Sequence, residues 1–367
     1  KSKIKTFEPT DAVKNGKLSI PIDLIRVTAI FLVIFLHVTN TYFNQATLDY
    51  LSYTEWSTFV VYKSIALSCV PLFVILTGAL LLQPSKIDEP IGAFLKKRAK
   101  RIGLAFVFWT LIYLAWSFQI TNTPFTYDTI SLGLVTSFFT GAYYHFWYLY
   151  LIAGLYLITP LLRAGIAFKN LNLISYLIGV WLVGICIVPF LPLLTGFNLP
   201  GEVFVAGGFT GFFLMGAYLQ KKRLKRRFIY GFLIIGFIFT LASTWVMTYH
   251  VEPVSNDYTF FDYLAINVVV MSIGAYAFLL RFPADWPGKN RPYAKKIIHT
   301  ISKNTLPIYL LHVIVLETFA RGLLGVTLDL TILPAIQVPL ASIAILFITL
   351  GLILLMKKVP GLKKLVG

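Results

Sequence analysis

The chain has 367 residues, 57% of them hydrophobic and only 13% charged, with a formal net charge of +17 and a mean hydropathy of +0.78. Soluble domains carry about 25% charged residues, so this composition excludes an ordinary soluble fold. The basic excess does not point to nucleic acid either: lysines and arginines cluster between apolar runs, as membrane orientation demands, and KKRLKRR at 221–227 is the local exception that would invite such a reading.

Taken in order, ten apolar runs near 20 residues read as spanning helices. They lie at about 20–43, 57–82, 102–118, 145–162, 172–194, 203–220, 228–249, 261–281, 304–324 and 331–356. The expected fold is an all-α polytopic membrane protein with one domain over 1–367. It would comprise a cytoplasmic segment 1–19, a ten-helix bundle 20–356 and a cytoplasmic tail 357–367. With the N-terminus inside and the spans alternating, all lysines and arginines except Lys63 and Arg321 fall in inside segments, whereas Asp49, Glu55, Asp128, Glu202, Glu252, Asp257 and Asp329 fall outside. That asymmetry supports both span number and orientation. The first run is long and carries Arg26 and His37, which suits a spanning helix better than a cleavable signal.

Arg26 and His37 organise the first span. Eleven residues apart, they are separated by about 16 Å along a helix and about 20° around it, so they share a face. Burying a cation and an imidazole there is costly unless the face meets a polar interior, and a reaction site along it is expected. A neutral imidazole takes a proton from a hydroxyl or is acylated itself. The blander alternative is a histidine bonded to a neighbouring helix and an arginine that snorkels to headgroups. Asp23, three residues earlier on the same side, is placed to hold the guanidinium.

KKRAKR at 96–101 starts the third span. Lys97 and Arg101 are i,i+4 neighbours, and Arg98 and Arg101 are i,i+3 neighbours. Such a cluster suits a phosphate-rich ligand, or anchors the helix by ordinary charge asymmetry. The segment 119–144 contains no lysine or arginine, and its apolar piece Ile130–Phe139 is too short to span, which predicts an interfacial or re-entrant helix. His145, Trp147 and Tyr148 then fall at the outer interface, where aromatic belts sit. Tyr309 and His312 share a face of the ninth span, and Glu317 with Arg321 reads as a helix-surface pair. Pro71, Pro160, Pro189, Pro192 and Pro307 mark kinks. Cys69 and Cys186 lie inside apolar runs without metal spacing or a reason to pair. No P-loop, G-x-S-x-G elbow, H-E-x-x-H or Cys/His spacing occurs, so a nucleotide-driven pump, a hydrolase triad and a metal site all lose support.

Six segments in order resemble the acyltransferase 3 family of multi-spanning membrane acyltransferases. IDLIR with His37 resembles its R-x10-H opening. SCVPLFVILTGALL at 68–81 is similar to its VPLFF…SG segment, with Thr77 where serine is usual. KKRAKRI at 96–102 looks like its basic third-helix start. HFWYLYLIAGLYLITPLL at 145–162 resembles HLWFL…YL…PLL, with Phe146 and Tyr148 for leucine and phenylalanine. GFFLMGAYL at 211–219 and LPIYLLH at 306–312 look like later motifs. The resemblance implies transfer of an acyl group, commonly acetyl, from cytoplasmic acetyl-CoA or another acyl-CoA to a hydroxyl of a cell-envelope glycan or lipid-linked sugar, at the bacterial plasma membrane. His37 would be catalytic, Arg26 would position it or help bind the donor, and Arg98 and Arg101 with Lys97 would meet the donor's phosphates. Thr77, Tyr309 and His312 would be candidates for oxyanion stabilisation, and Asp23, His145 and Trp147 for support or substrate contact. The competing class is a transporter or flippase of a small polar molecule or glycan, which intramembrane polar residues and proline-broken helices also suit. Dependence on an acyl-CoA donor separates the two.

Overall fold

The computed structural model describes residues 20–43, 52–167, 171–187, 208–250, 259–283, 286–288, 291–327 and 333–367, and among them there is no strand. The first apolar run forms α1 (Ile20–Tyr42). It is followed by α2 (Tyr53–Ala66), α3 (Cys69–Leu81) and the long α4 (Ile91–Thr121). Next come α5 (Tyr127–Thr140), α6 (Trp147–Ala167) and α7 (Leu171–Trp181), which runs into a π segment at Leu182–Ile187. The second half contains α8 (Thr210–Lys221), α9 (Arg226–His250), α10 (Ile266–Leu279), α11 (Pro292–Lys303), α12 (Thr305–Ala320), α13 (Pro334–Met356) and α14 (Leu362–Leu365).

α1 is the central post. It packs against α2, α3, α11, α12 and α13, and Ile25, Ala29, Ile30, Ile34 and Val38 along it are fully buried. Around it, α8 lies on α3, α9 on α10, and α4 on α6. Six stretches are long and apolar enough to cross a membrane by length and composition: Ile20–Tyr42, Tyr53–Leu81, Ile91–Thr121, Tyr127–Gly165, Arg226–Met247 and Pro334–Met356. Leu171–Gly184, Ile266–Leu279 and Thr305–Ala320 are shorter apolar helices. Each of the ten runs read from the sequence thus holds a helix, but six of the stretches have spanning length.

Local chemistry explains the breaks. Pro71 cannot donate a backbone hydrogen bond and crowds the carbonyl four residues back, and the chain turns at Leu67 and Ser68 between α2 and α3. The piece Ile130–Phe139 lies within α5, which opens on a reciprocal cap between Thr126 and Thr129 and stops at Gly141, whose φ is 93°. Pro189 and Pro192 lie outside the described residues. Besides α5, two α-helices lie outside the ten apolar runs: the short α14 in the tail, and α11, in the basic segment between the eighth and ninth runs, which packs on α1.

Polar ties gather at one end of the bundle. Gln220 donates to the Ala79 carbonyl at 2.8 Å, Arg281 donates to the Leu224 carbonyl, and Lys357 donates to Asn304 at 2.8 Å. Where α3 and α8 cross, glycines let the backbones touch. A Cβ on Gly78 would lie 1.9 Å from the Phe213 carbonyl oxygen, and one on Gly216 would lie 2.0 Å from that of Ile75. Small residues at such crossings permit the close packing that holds membrane helices together. Gly216→Val is therefore expected to lower stability by about 1–3 kcal/mol through overpacking, read as an earlier midpoint in detergent thermal denaturation. Gly351→Val, at a glycine with open space around it, is the matched control and leaves the midpoint in place.

Candidate functional site

A cavity of about 320 Å³ opens at the end of the bundle that carries these ties. Its basic members are Arg26 from α1, Lys86 from the turn Pro84–Lys86, and Arg98 and Arg101 from α4. Phe73, Leu76 and Thr77 of α3 and Leu149 and Ile152 of α6 form apolar wall, and Tyr148, Tyr156 and Tyr309 add phenols. α4 starts well before its apolar part, so the basic run lies on a regular helix. Arg98 thereby turns inward over the rings of Phe94 and Tyr156, 5.4 Å from each centroid. The lining thus sets four basic side chains beside apolar and phenolic ones, a combination that suits an anionic, partly apolar ligand.

Tyr309 is where the cavity meets the imidazoles. Its ring lies 5.9 Å from that of His312 and 5.4 Å from that of His145. His312 is 5.2 Å from His37 and 5.7 Å from His145. His312 Nδ1 lies 2.6 Å from the Tyr309 carbonyl. A carbonyl only accepts, so Nδ1 carries the proton and Nε2 keeps the lone pair in the neutral ring. That Nε2, like both ring nitrogens of His145, meets no partner among the described residues. His37 is half-buried and faces Tyr144 at 5.3 Å. Neither His37 nor His312 lines the cavity; both lie beyond Tyr309. Among the described residues no group of three potential ligands forms a metal site.

The structure brings together Arg26, Arg98, Arg101, Thr77 and Tyr309 on the cavity, and His37, His145 and His312 behind it. It separates others. Lys97 is exposed and does not line the cavity, because it faces away from Arg98 on the same helix. Trp147 stacks on Tyr263 at 5.8 Å, away from the histidines. Asp23, 1% exposed, accepts from Ser302 at 2.5 Å and His299 at 3.1 Å rather than closing an ion pair with Arg26. Both partners come from α11, the helix that the sequence reading took for loop. His145 is buried in the cluster instead of lying in an aromatic belt, because the turn Tyr144–Phe146 aims it inward. Two hydroxyls proposed from sequence are already engaged: Thr77 donates to the Phe73 carbonyl at 2.7 Å, and Tyr309 donates to the His145 carbonyl. Lys86 and Arg163 were missed; each stands alone in sequence, without the cluster that drew attention to 96–101.

At the far end of α12, Glu317 is more than a surface partner of Arg321. It accepts from Tyr143 at 2.5 Å, Trp116 at 3.2 Å and Arg321 at 3.4 Å. This ties α4 and the segment before α6 to α12 just above the histidines. Glu317→Leu leaves a phenol and an indole N–H without their acceptor, a cost on the order of 1–3 kcal/mol. Thermal denaturation in detergent is expected to show that loss, with Glu317→Gln retaining most of the wild-type midpoint.

A family model described as an acyltransferase domain matches residues 20–357, nearly the whole chain. No curated protein and no solved structure matches significantly.

Proposed function

This chain belongs to the acyltransferase 3 family, and from that premise we propose that it moves an acyl group, acetyl foremost, from cytoplasmic acyl-CoA to a hydroxyl of an extracytoplasmic glycan or lipid-linked sugar. In this reading the bundle crosses a bacterial plasma membrane ten times with both termini inside. The cavity end is then cytoplasmic, in line with its lysines and arginines. The observation that carries the reading is a cavity lined by four basic residues and by Tyr309, whose ring neighbours His312, which in turn neighbours His37. Arg98 and Arg101 would meet the donor phosphates, which guanidinium forks suit. The thin arm would run between Phe73, Leu76 and Ile152, and the acyl end would pass Tyr309.

His37 acts as general base in this scheme. Its ring takes the proton of the acceptor hydroxyl as that oxygen bonds to the thioester carbonyl carbon. The carbon–sulfur bond breaks, and the departing thiolate receives the proton from the imidazolium. A variant of the same scheme passes the acyl group to the His37 ring first. The developing oxyanion needs a hydrogen-bond donor. Tyr148 is our candidate: it lines the cavity with its ring 5.4 Å from that of Tyr309, whereas the hydroxyls of Thr77 and Tyr309 are engaged.

Calorimetry of the purified protein in detergent tests the donor half. Acetyl-CoA is expected to bind saturably and to lose at least tenfold in affinity in the Arg98→Ala/Arg101→Ala variant, since each charged contact contributes about 1.5–3 kcal/mol. Absence of binding by folded wild-type protein would favour transport of unmodified substrate. The chemical half is tested with radiolabelled acetyl-CoA and membranes: folded His37→Ala and His37→Gln should both abolish label transfer, and full transfer by either sinks the role given to His37. Tyr309→Trp should keep donor binding but lose transfer, because the larger ring closes the inner limit of the cavity.

A further inference from the structure

The cavity has a cation that the basic run at 96–101 does not supply. Lys86 lies on the turn Pro84–Lys86 between α3 and α4 and lines the cavity beside Arg98. Its ammonium rests on the Leu80 carbonyl at 2.5 Å, a single acceptor for a group with three donors. The loop that presents it is clamped from behind by Arg163 of α6, which is 3% exposed. Arg163 Nε donates to the Leu81 carbonyl at 2.9 Å at the start of the loop. Its Nη1 pairs with Glu89 at 3.0 Å near the end of the loop. Its guanidinium also lies over Phe94, 4.5 Å from the centroid, the ring that Arg98 covers as well.

This neighbourhood is short of anions. Arg98, Arg163 and Lys97 repel Lys86, while Glu89 attracts it; Arg26, Arg101 and Tyr156 face the same cavity. On the cavity itself, Arg98 Nε meets no acceptor among the described residues. Buried charged donors left unpaired are costly, and such an arrangement persists where a ligand supplies the missing acceptors. A nucleotide's phosphates fit that description. Resting on the acyl-CoA reading above, we propose that Lys86 is a direct ligand of the donor's phosphates and that the Arg163–Glu89 pair is the positioning device that holds its loop over the cavity.

The proton count gives the proposal an independent readout. In the free protein burial, then Arg98 and Arg163, hold Lys86 below the ordinary lysine range. A bound phosphate restores an opposite charge and raises it again. Between the free and bound values, binding therefore takes up a proton, and affinity falls as pH rises through that window.

The experiment is calorimetric titration of the full chain in detergent with acetyl-CoA, at neutral and alkaline pH, in two buffers of different ionisation enthalpy. Wild type should bind with proton uptake at alkaline pH. Lys86→Met should bind about tenfold more weakly and without that uptake. Lys86→Arg should keep most of the affinity but lose the uptake, because guanidinium does not titrate there. Glu89→Gln and Arg163→Met should each weaken binding, and either one combined with Lys86→Met should add little further loss. Wild-type affinity in Lys86→Met, persistent alkaline proton uptake in that variant, or full additivity of the double variants would each overturn the proposal while leaving the donor reading intact. Failure of wild type to bind acetyl-CoA overturns the donor reading and this proposal with it.

Discussion

The site depends on how Tyr309 is held. Its hydroxyl donates to the His145 carbonyl, its own carbonyl accepts from His312, and its ring closes the cavity beside Tyr148, 5.4 Å away. One residue therefore fixes the start of α6 against α12, selects the tautomer of His312 and sets the inner limit of the cavity. Pro307, two residues earlier, lies in the first turn of α12, where its missing N–H costs no helical bond. The apolar bundle around these groups raises the stakes of each bond, because an unpaired polar group has no water to turn to.

The internal charges follow the same constraint. Asp23 is buried in α1 and is satisfied by Ser302 and His299 of α11, which brings that amphipathic helix against the central post. Arg163 is buried in α6 and is satisfied largely by the loop after α3. Both of these buried charges are thus tied to a segment at the end that carries the cavity, whereas Glu317 is tied at the far end. Arg26 is the contrast. It has no carboxylate within ion-pair distance among the described residues and faces the open space instead.

Much of this was legible in the sequence because membrane helices announce themselves by length and charge asymmetry. The ten apolar runs all contain helices, and the shared face of Arg26 and His37 followed from helical periodicity, with one end of that face in the cavity and the other beside His312. Periodicity places residues on a face but does not say what the face meets. It therefore paired Asp23 with its helical neighbour Arg26, when an imidazole and a hydroxyl from 276 and 279 residues away satisfy it. Composition hid α11, since Lys295, Lys296 and Lys303 made 292–303 look like a solvated loop, while its other face, with Ile301 and Ser302, is buried. His145, Trp147 and Tyr148 read as one aromatic belt, yet the turn before α6 sends His145 inward to His312 while Trp147 stacks on Tyr263.

Depth is the last constraint. A hydrocarbon core is about 30 Å thick, and the roughly 16 Å from Arg26 to His37 along α1 carries the imidazole to about the middle of it. His312, seven residues into α12 from Thr305 at the cavity, reaches about 10 Å inward. In the proposed reading, a donor held by its charged head at the cavity would need to send only an uncharged arm half-way across, which avoids the cost of moving phosphate into apolar surroundings. In the same proposal the acceptor hydroxyl would come from the side of Tyr144, which is 54% exposed and faces His37 at 5.3 Å. In that proposal, two half-crossings that meet at an imidazole would let a group change sides of the membrane without either carrier doing so, and the placement of the histidines between Tyr309 and Tyr144 suits such a transfer.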